Sequence, residues 1–277
     1  MQNAGIRALG LNWRYLAFDV HPDNLRAAIN GVKAMKFIGL NLTVPHKLLA
    51  HEMVDELDES ARTCGAVNTI AFETRNENRK WVRLDQVPAD KITETRSQGF
   101  NTDADAIVQA LREDLGVELR GASVLLAGAG GAGRVAALKL AERGASALFL
   151  VNRTVGKAKA LADEIHKRFP SVETAAGYPA SRKVDLLLNA TSLGLKAEDP
   201  LPFDEKQFAL RQARAVYDMV YRPAETPLLK AAKAAGCRVA NGLGMLLYQG
   251  AKALEIWSGK SAPVEEMRRA LTKEVYG

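Results

Sequence analysis

Residues 123–154 constrain the fold of this chain more than any other stretch of it. A short apolar run at residues 124–127 leads into a cluster of glycines and then into an alanine- and leucine-rich helical segment, and four of these glycines fall within six residues: Gly128, Gly130, Gly131 and Gly133. The pattern predicts a strand, a tight turn and a helix. Glycine lets such a turn approach a pyrophosphate closely, and the helix N-terminus offers free N–H groups to negative charge. We therefore expect a dinucleotide ligand.

The strand predicted at Ala147–Val151 follows at the spacing of a βαβ unit and indicates which dinucleotide binds. Where an acidic residue would contact a free ribose hydroxyl, the chain has Asn152, Arg153 and Thr154, with Lys157 shortly after them. An acidic side chain would repel a 2′-phosphate, whereas a guanidinium can hold it through paired hydrogen bonds. We expect NADP(H) rather than NAD(H). The alternative is that Arg153 and Lys157 only solvate the start of a helix.

Composition limits the classes of protein to which the chain can belong. Its 277 residues suffice for one large or two modest domains, and 47% hydrophobic with 25% charged residues excludes disordered and fibrous classes. The net charge of +6 comes from basic residues scattered among acidic ones. The sequence therefore predicts small anionic ligands and no nucleic-acid partner. It makes no prediction of oligomeric state.

Apolar runs and cysteines indicate the compartment. No run approaches the roughly 18 to 20 apolar residues of a membrane span, and the N-terminus carries no apolar signal core. Cys64 and Cys237 lie far apart without metal-ligand neighbours. We expect a cytoplasmic protein with two buried or idle thiols, no metal site and no membrane partner.

Helical and strand patterns alternate along the chain, which predicts an α/β fold. The predicted strands are 15–20, 37–42, 69–73, 124–127, 147–151, 184–189, 215–219 and 238–240. The predicted helices are 1–11, 25–35, 48–61, 104–115, 156–169, 227–235, 245–257 and 263–275. Residues 74–98 have little periodicity and are expected to form an elaborated hairpin or a surface loop. Domain boundaries are predicted near residues 104 and 241.

Eight short motifs occur in order along the chain. They are Asn-Leu-Thr-Val-Pro-His-Lys (41–47), Gly-Ala-Val-Asn-Thr (65–69), Asn-Thr-Asp (101–103), Gly-Ala-Gly-Gly-Ala-Gly (128–133), Asn-Arg-Thr (152–154), Asn-Ala-Thr-Ser-Leu-Gly (189–194), Asp-Met-Val-Tyr (218–221) and Asn-Gly-Leu-Gly-Met (241–245). In this set and spacing the chain resembles the shikimate dehydrogenases, from residue 1 to near the C-terminus.

The resemblance implies reversible reduction of 3-dehydroshikimate to shikimate with NADPH, a step toward chorismate and the aromatic amino acids. It implies two domains: residues 1–104 would form a substrate-binding and catalytic domain with a mostly parallel sheet, to which residues 241–277 return as C-terminal helices. Residues 105–240 would form a Rossmann NADP-binding domain.

The same resemblance assigns site residues. Lys47 and Asp103 would be the catalytic pair, and the substrate contacts would be Thr43, Asn68, Tyr221 and Gln249. The cofactor contacts would be Gly128, Ala129, Gly130, Gly131 and Ala132 at the pyrophosphate, Asn152, Arg153, Thr154 and Lys157 at the 2′-phosphate, and Thr191, Met219 and Gly242 at the nicotinamide. Hydride transfer to a ketone creates an alkoxide that must be protonated, and a lysine ammonium positioned by a carboxylate suits that role.

Plainer alternatives stay open for several of these residues. Lys47 could be a surface lysine and Asp103 a helix N-cap, since both are common. Asn68 could be a turn residue, Gln249 a solvent-facing residue and Met219 a core residue.

The sequence departs from the family pattern at its start. Family members usually begin with a strand and a Ser-x-Ser-Pro turn whose hydroxyls bind the substrate carboxylate, and this chain has neither before its first helix. A sheet lacking that strand would have unpaired backbone groups and an open groove. Two further hypotheses follow: a quinate or related cyclic hydroxy-acid dehydrogenase, and a truncated, weakly active NADP-binding homologue.

Overall fold

A computed structural model describes residues 1–180 and 182–277 of the chain. The α-helices are α1 Gln2–Ala8, α2 Leu25–Ala34, α3 His46–Leu49, α4 Glu59–Cys64, α5 Asp103–Leu115, α6 Gly131–Glu142, α7 Val155–Arg168, α8 Pro227–Ala234, α9 Leu243–Ser258 and α10 Val264–Tyr276. The strands are β1 Gly39–Asn41, β2 Glu56–Leu57, β3 Thr69–Arg75, β4 Trp81–Arg83, β5 Thr95–Phe100, β6 Ser123–Ala127, β7 Ala147–Val151, β8 Glu173–Ala176, β9 Val184–Asn189, β10 Ala213–Asp218 and β11 Arg238–Asn241. The α/β class is confirmed. Over the described residues, no helix is both long and apolar enough to span a bilayer.

The chain divides into two compact units. The first comprises Met1–Asp103 and Gln249–Leu271, and the second comprises Ala104–Tyr248 and Thr272–Gly277.

The sheet of the first unit is mixed. Its strand order is β1-β3-β5-β2 with β4 paired to β3, and only β2 and β5 run parallel; β3 is antiparallel to its three neighbours. The prediction of a mostly parallel sheet here is wrong. Parallel neighbours need a crossover connection, usually an α-helix, and no α-helix separates β3, β4 and β5, which follow one another along the chain. Residues 74–98 do form the predicted elaborated hairpin, with β3 and β4 as its arms.

Two elements predicted in the first unit are also absent from it. Residues 15–20 join no strand ladder, and Leu16 and Phe18 are exposed, because aromatic and β-branched content predicts a strand but supplies no hydrogen-bonded neighbour. The predicted helix 48–61 is divided among α3, a 3-10 turn, β2 and α4. Asp58 interrupts it, since its carboxylate accepts the Ala61 N–H at 2.9 Å and caps a new helix there.

The core of the first unit packs α2 and α9 against β3. Ile70 and Phe72 on β3 are buried with Leu25 and Ile29 of α2. Trp257 of α9 donates its indole N–H to the Ile70 carbonyl at 2.9 Å. A Cβ at Gly39 would lie 2.1 Å from the same indole nitrogen, so glycine is required where this ring crosses β1.

The second unit has a six-stranded, wholly parallel sheet in the order β11-β10-β9-β6-β7-β8. Central strand β6 is buried from Val124 to Ala127, and β9 is almost completely buried, as the apolar sequences of both strands predict. The prediction missed edge strand β8, because Glu-Thr-Ala-Ala contains no apolar run. The carboxyl ends of these strands lie at one edge of the sheet, which is where such sheets bind ligands.

Candidate active site

Lys47 and Asp103 are brought together in the first unit from positions 56 residues apart. Lys47 lies on the short helix α3, whose segment is held by the Val67 N–H, which donates to the Lys47 carbonyl at 2.8 Å. Asp103 is the first residue of α5. The Lys47 Nζ donates to Asp103 Oδ2 at 2.8 Å, and the side chains are 29% and 14% exposed. This ammonium is therefore both oriented by a carboxylate and reachable by a ligand.

Asn68 immediately precedes β3 and forms hydrogen bonds with Thr102, the residue before Asp103. Its side chain is 1% exposed, and its Oδ1 accepts the Thr102 N–H at 2.8 Å and the Thr69 hydroxyl at 3.0 Å. Its Nδ2 donates to the Thr102 hydroxyl at 3.0 Å. Asn68 thus fixes the residue immediately before Asp103.

The other predicted substrate contacts are divided between the units. Thr43 is exposed, and Gln249 is half-buried on α9; both belong to the first unit. Tyr221 belongs to the second unit, is half-buried, and accepts the Tyr276 hydroxyl on its carbonyl at 2.6 Å.

The glycine turn of the second unit connects β6 to α6. Gly128 has φ of +106°, and a Cβ there would lie 2.9 Å from the Ala190 carbonyl carbon and oxygen. A Cβ at Gly133 would lie 1.9 Å from the Gly128 carbonyl oxygen, so the helix packs directly on the turn. Gly130 and Gly131 have nothing within 4 Å of such a Cβ and are exposed, as is Ala132, while Ala129 is half-buried. This open side, at the N-terminus of a 12-residue helix, fits a pyrophosphate.

Asn152 connects that turn to the segment after β7. Its Oδ1 accepts the Ala129 N–H at 3.0 Å, and its Nδ2 donates to the Thr154 carbonyl at 2.9 Å. Arg153, Thr154 and Lys157 are exposed. Within residues 1–180 and 182–277, neither cation forms an ion pair, so both charges are available to an anion such as a 2′-phosphate.

Thr191, Met219 and Gly242 lie just beyond the carboxyl ends of β9, β10 and β11. The Thr191 hydroxyl donates to Asn189 Oδ1 at 2.8 Å, and the Met219 N–H donates to the Asn189 carbonyl at 2.9 Å. A Cβ at Gly242 would lie 2.1 Å from the Met219 carbonyl oxygen, which excludes any other residue there.

Sequence reasoning missed three buried polar residues that support this end of the sheet. Asn189, Asp218 and Thr226 are each 0% exposed. Burial raises the pKa of the Asp218 carboxyl, although hydrogen bonds from Thr226, Val220 and Asn189 oppose the rise. The signal that could have identified Asn189 and Asp218 is a polar residue at the carboxyl end of an otherwise apolar parallel strand.

Known families match three segments of the chain. Residues 1–70 match the shikimate dehydrogenase substrate binding domain, residues 109–195 match shikimate / quinate 5-dehydrogenase, and residues 242–272 match the shikimate 5′-dehydrogenase C-terminal domain.

Full-length relatives agree with these matches. A shikimate dehydrogenase (NADP(+)) from Methanopyrus kandleri is 38% identical over 99% of this chain and 90% of its own length. A crystal structure of shikimate 5-dehydrogenase from Thermus thermophilus in complex with NADP(H) and shikimate matches with a TM-score of 0.79 and 33% identity, over 98% of this chain and 92% of that one. The ligand-free 5-ketofructose reductase of a Gluconobacter species matches with a TM-score of 0.80 and 32% identity, over 99% and 92%.

Proposed function

The chain belongs to the shikimate dehydrogenase family, and on that premise we propose that it catalyses the reversible NADPH-dependent reduction of 3-dehydroshikimate to shikimate. It is an NADP-dependent oxidoreductase acting on a CH–OH group, and this reaction serves chorismate and aromatic amino-acid biosynthesis. The observation that carries the proposal is the 2.8 Å contact between Lys47 Nζ and Asp103 Oδ2, within a chain that also has a glycine turn and the exposed cations Arg153 and Lys157.

Lys47 is proposed as the acid of the reduction. NADPH, when bound, supplies the hydride to the carbonyl carbon. The Lys47 ammonium donates a proton to the carbonyl oxygen as negative charge develops on it, and the neutral amine then recovers a proton from solvent. The Asp103 carboxylate accepts a hydrogen bond from the ammonium and holds it in position. In the oxidation of shikimate the neutral amine accepts the hydroxyl proton instead.

The second unit is proposed to hold NADP(H). Gly128 through Ala132 would receive the pyrophosphate, Asn152 through Lys157 the 2′-phosphate, and Thr191, Met219 and Gly242 would border the nicotinamide. Our proposed domains are residues 1–104 with 241–277 for substrate and residues 105–240 for cofactor, whereas residues 241–248, which include Gly242, fall in the second compact unit. The open side of the glycine turn and the exposed side chains of Arg153 and Lys157 support the assignment.

The substrate would be contacted by Thr43, Asn68, Tyr221 and Gln249. Exposure of Thr43 and partial exposure of Tyr221 and Gln249 support contact with a ligand. Asn68, at 1% exposed, would act mainly through its hold on Thr102 and therefore on Asp103. We place the reaction in the cytoplasm, where reducing conditions suit cysteines such as Cys64 and Cys237 that form no disulfide among the described residues.

A second candidate substrate is another hydroxylated ketone. The match to shikimate / quinate 5-dehydrogenase and the similarity to a 5-ketofructose reductase both favour testing it. Quinate differs from shikimate in lacking the ring double bond, and 5-ketofructose is not a carboxylic acid. In reduction with NADPH, kcat/KM for 3-dehydroshikimate relative to 5-ketofructose therefore also measures how strongly the carboxylate is recognised.

The deciding experiment mixes the protein with shikimate and NADP⁺ and follows the absorbance of reduced nicotinamide, with quinate and NAD⁺ as matched alternatives. We expect the highest kcat/KM for shikimate with NADP⁺. A higher kcat/KM for quinate than for shikimate with NADP⁺ would reassign the substrate. A higher kcat/KM for 5-ketofructose than for 3-dehydroshikimate with NADPH would also reassign it. Thermal stabilisation by NADPH without turnover of any of them would identify a weakly active NADP-binding homologue.

A further inference from the structure

Asp218 is a buried carboxylate at the carboxyl end of β10 that no cation pairs with among the described residues of the chain. Its Oδ1 accepts the Asn189 side-chain amide at 2.8 Å and the Val220 N–H at 3.0 Å. Its Oδ2 accepts the Thr226 hydroxyl at 2.6 Å. Three neutral donors therefore satisfy a charge that burial disfavours, and burial accordingly raises the pKa of this carboxyl.

The three donors belong to different segments of the second unit. Asn189 ends β9, Val220 lies in the loop after β10, and Thr226 is the N-cap of α8, where its hydroxyl accepts the Leu229 N–H at 3.3 Å. The Asp218 side chain thus joins the end of a strand, a loop and the start of a helix.

Asn189 extends the connection to the loop after β9. Its Oδ1 accepts both the N–H and the hydroxyl of Thr191, at 3.0 and 2.8 Å. Its Nδ2 donates to the Leu193 carbonyl at 3.0 Å as well as to Asp218. On the other side, Val220 directly follows Met219. The carboxylate is therefore linked to Thr191 through Asn189, and it binds the N–H of the residue that follows Met219.

Stability alone does not account for a charge in this place, because an apolar or amide side chain would avoid the desolvation of a carboxylate. A carboxylate offers more acceptor positions in one plane than an amide does, and here they converge on three segments.

We propose that Asp218 is a positioning residue for hydride transfer, which fixes Thr191 and Met219 at the nicotinamide through Asn189 and the Val220 N–H. The inference rests on the proposed function, since it takes the nicotinamide contacts from there. The glycine turn and the Arg153 segment are bonded instead by Asn152, so binding of the adenosine and phosphate portion should depend far less on Asp218 than placement of the nicotinamide does.

The test compares Asp218→Ala with wild type in the full chain, using NADP⁺ and 2′,5′-ADP, which lacks the nicotinamide. We expect kcat to fall about a hundredfold, as displacement of reacting groups by about 1 Å does, and NADP⁺ affinity to fall while the Kd for 2′,5′-ADP stays within about twofold. Asp218→Asn should recover only part of the loss, because its amide oxygen can still accept from Val220 and Asn189 but its NH2 group cannot accept the Thr226 hydroxyl. Equal loss of both ligands, or an unchanged kcat, would overturn the inference.

A second pair of variants covers the case in which Asp218→Ala does not fold. Thr226→Val removes one hydrogen bond to the carboxylate, whereas Thr226→Ser keeps it. We expect a lower kcat only for Thr226→Val, again with unchanged 2′,5′-ADP binding, and identical kinetics for the two variants would contradict the inference. If wild type turns over none of the substrates, the proposed function fails separately, and the comparison of NADP⁺ with 2′,5′-ADP affinity still decides the role of Asp218.

Discussion

Replacing Lys47 by alanine should separate catalysis from stability. The substitution removes the ammonium that lies 2.8 Å from Asp103 Oδ2. We expect kcat for shikimate oxidation to fall about 10²- to 10⁴-fold, the contribution of a positioned general acid or base. Solvent reaches both side chains, which are 29% and 14% exposed, so loss of the ion pair should lower the free energy of unfolding by about 1 kcal/mol or less.

Three measurements check the expectation: kcat from reduced-nicotinamide absorbance, the free energy of unfolding from urea denaturation, and the Kd for NADPH from its fluorescence. NADPH affinity should be nearly unchanged, because the cofactor contacts we propose lie in the second unit.

Lys33→Ala is the matched control. Lys33 Nζ lies 2.6 Å from Asp55 Oδ2 in the same unit, and these side chains are 26% and 47% exposed. Its removal should lower stability by a comparable amount and leave kcat unaltered. The catalytic assignment is refuted if Lys47→Ala retains the wild-type kcat, or if Lys33→Ala loses as much activity as Lys47→Ala.

Three further outcomes are expected. Arg153→Ala should weaken NADP⁺ binding about tenfold or more through loss of charge-assisted hydrogen bonds, with NAD⁺ binding unchanged; parallel losses in titrations with the two cofactors would contradict the 2′-phosphate assignment. Gly128→Ala should lower the unfolding free energy by about 1 to 3 kcal/mol because of its φ of +106° and the contact with Ala190, whereas Gly130→Ala, in open space, should be milder in the same denaturation assay. Burial alone would raise the pKa of Asp55, but hydrogen bonds from Lys33 and Ser97 lower it below its ordinary value of 3.8. The difference in unfolding free energy between wild type and Asp55→Asn should therefore be complete above about pH 4 and shrink as the pH falls further. A difference that does not change with pH in urea titrations would exclude this.

The second unit was largely predictable because its signals are local. Apolar runs at β6 and β9 and the glycines between β6 and α6 each specify structure within a few residues. The sheet of the first unit was not, because its register depends on pairing between distant short strands. An amphipathic pattern over residues 48–61 could not show that Asp58 accepts the Ala61 N–H, nor that Glu56 pairs with Gln98 of β5.

The residues of the candidate site likewise differ in whether local sequence signals could predict them. The residues proposed for the pyrophosphate and the 2′-phosphate could be predicted from spacing along one βαβ unit, whereas Thr191, Met219 and Gly242 were predicted only through family resemblance. Lys47 and Asp103 could be paired only through family resemblance, since nothing local in the sequence joins residues that far apart. Asp218 was overlooked because its role depends on where three other segments place their donors.

Asn152 separates two features of the proposed cofactor site: the backbone of the glycine turn and the charges near the 2′-phosphate. Its single amide group locks the backbone of the turn, while the adjacent Arg153 and the later Lys157 project their charges outward without contributing to that lock. A protein engineer could therefore exchange these cations for acidic or neutral residues to favour the unphosphorylated coenzyme and keep the pyrophosphate cradle intact. The preference for NADP(H) over NAD(H) and the affinity for the pyrophosphate could then be changed independently.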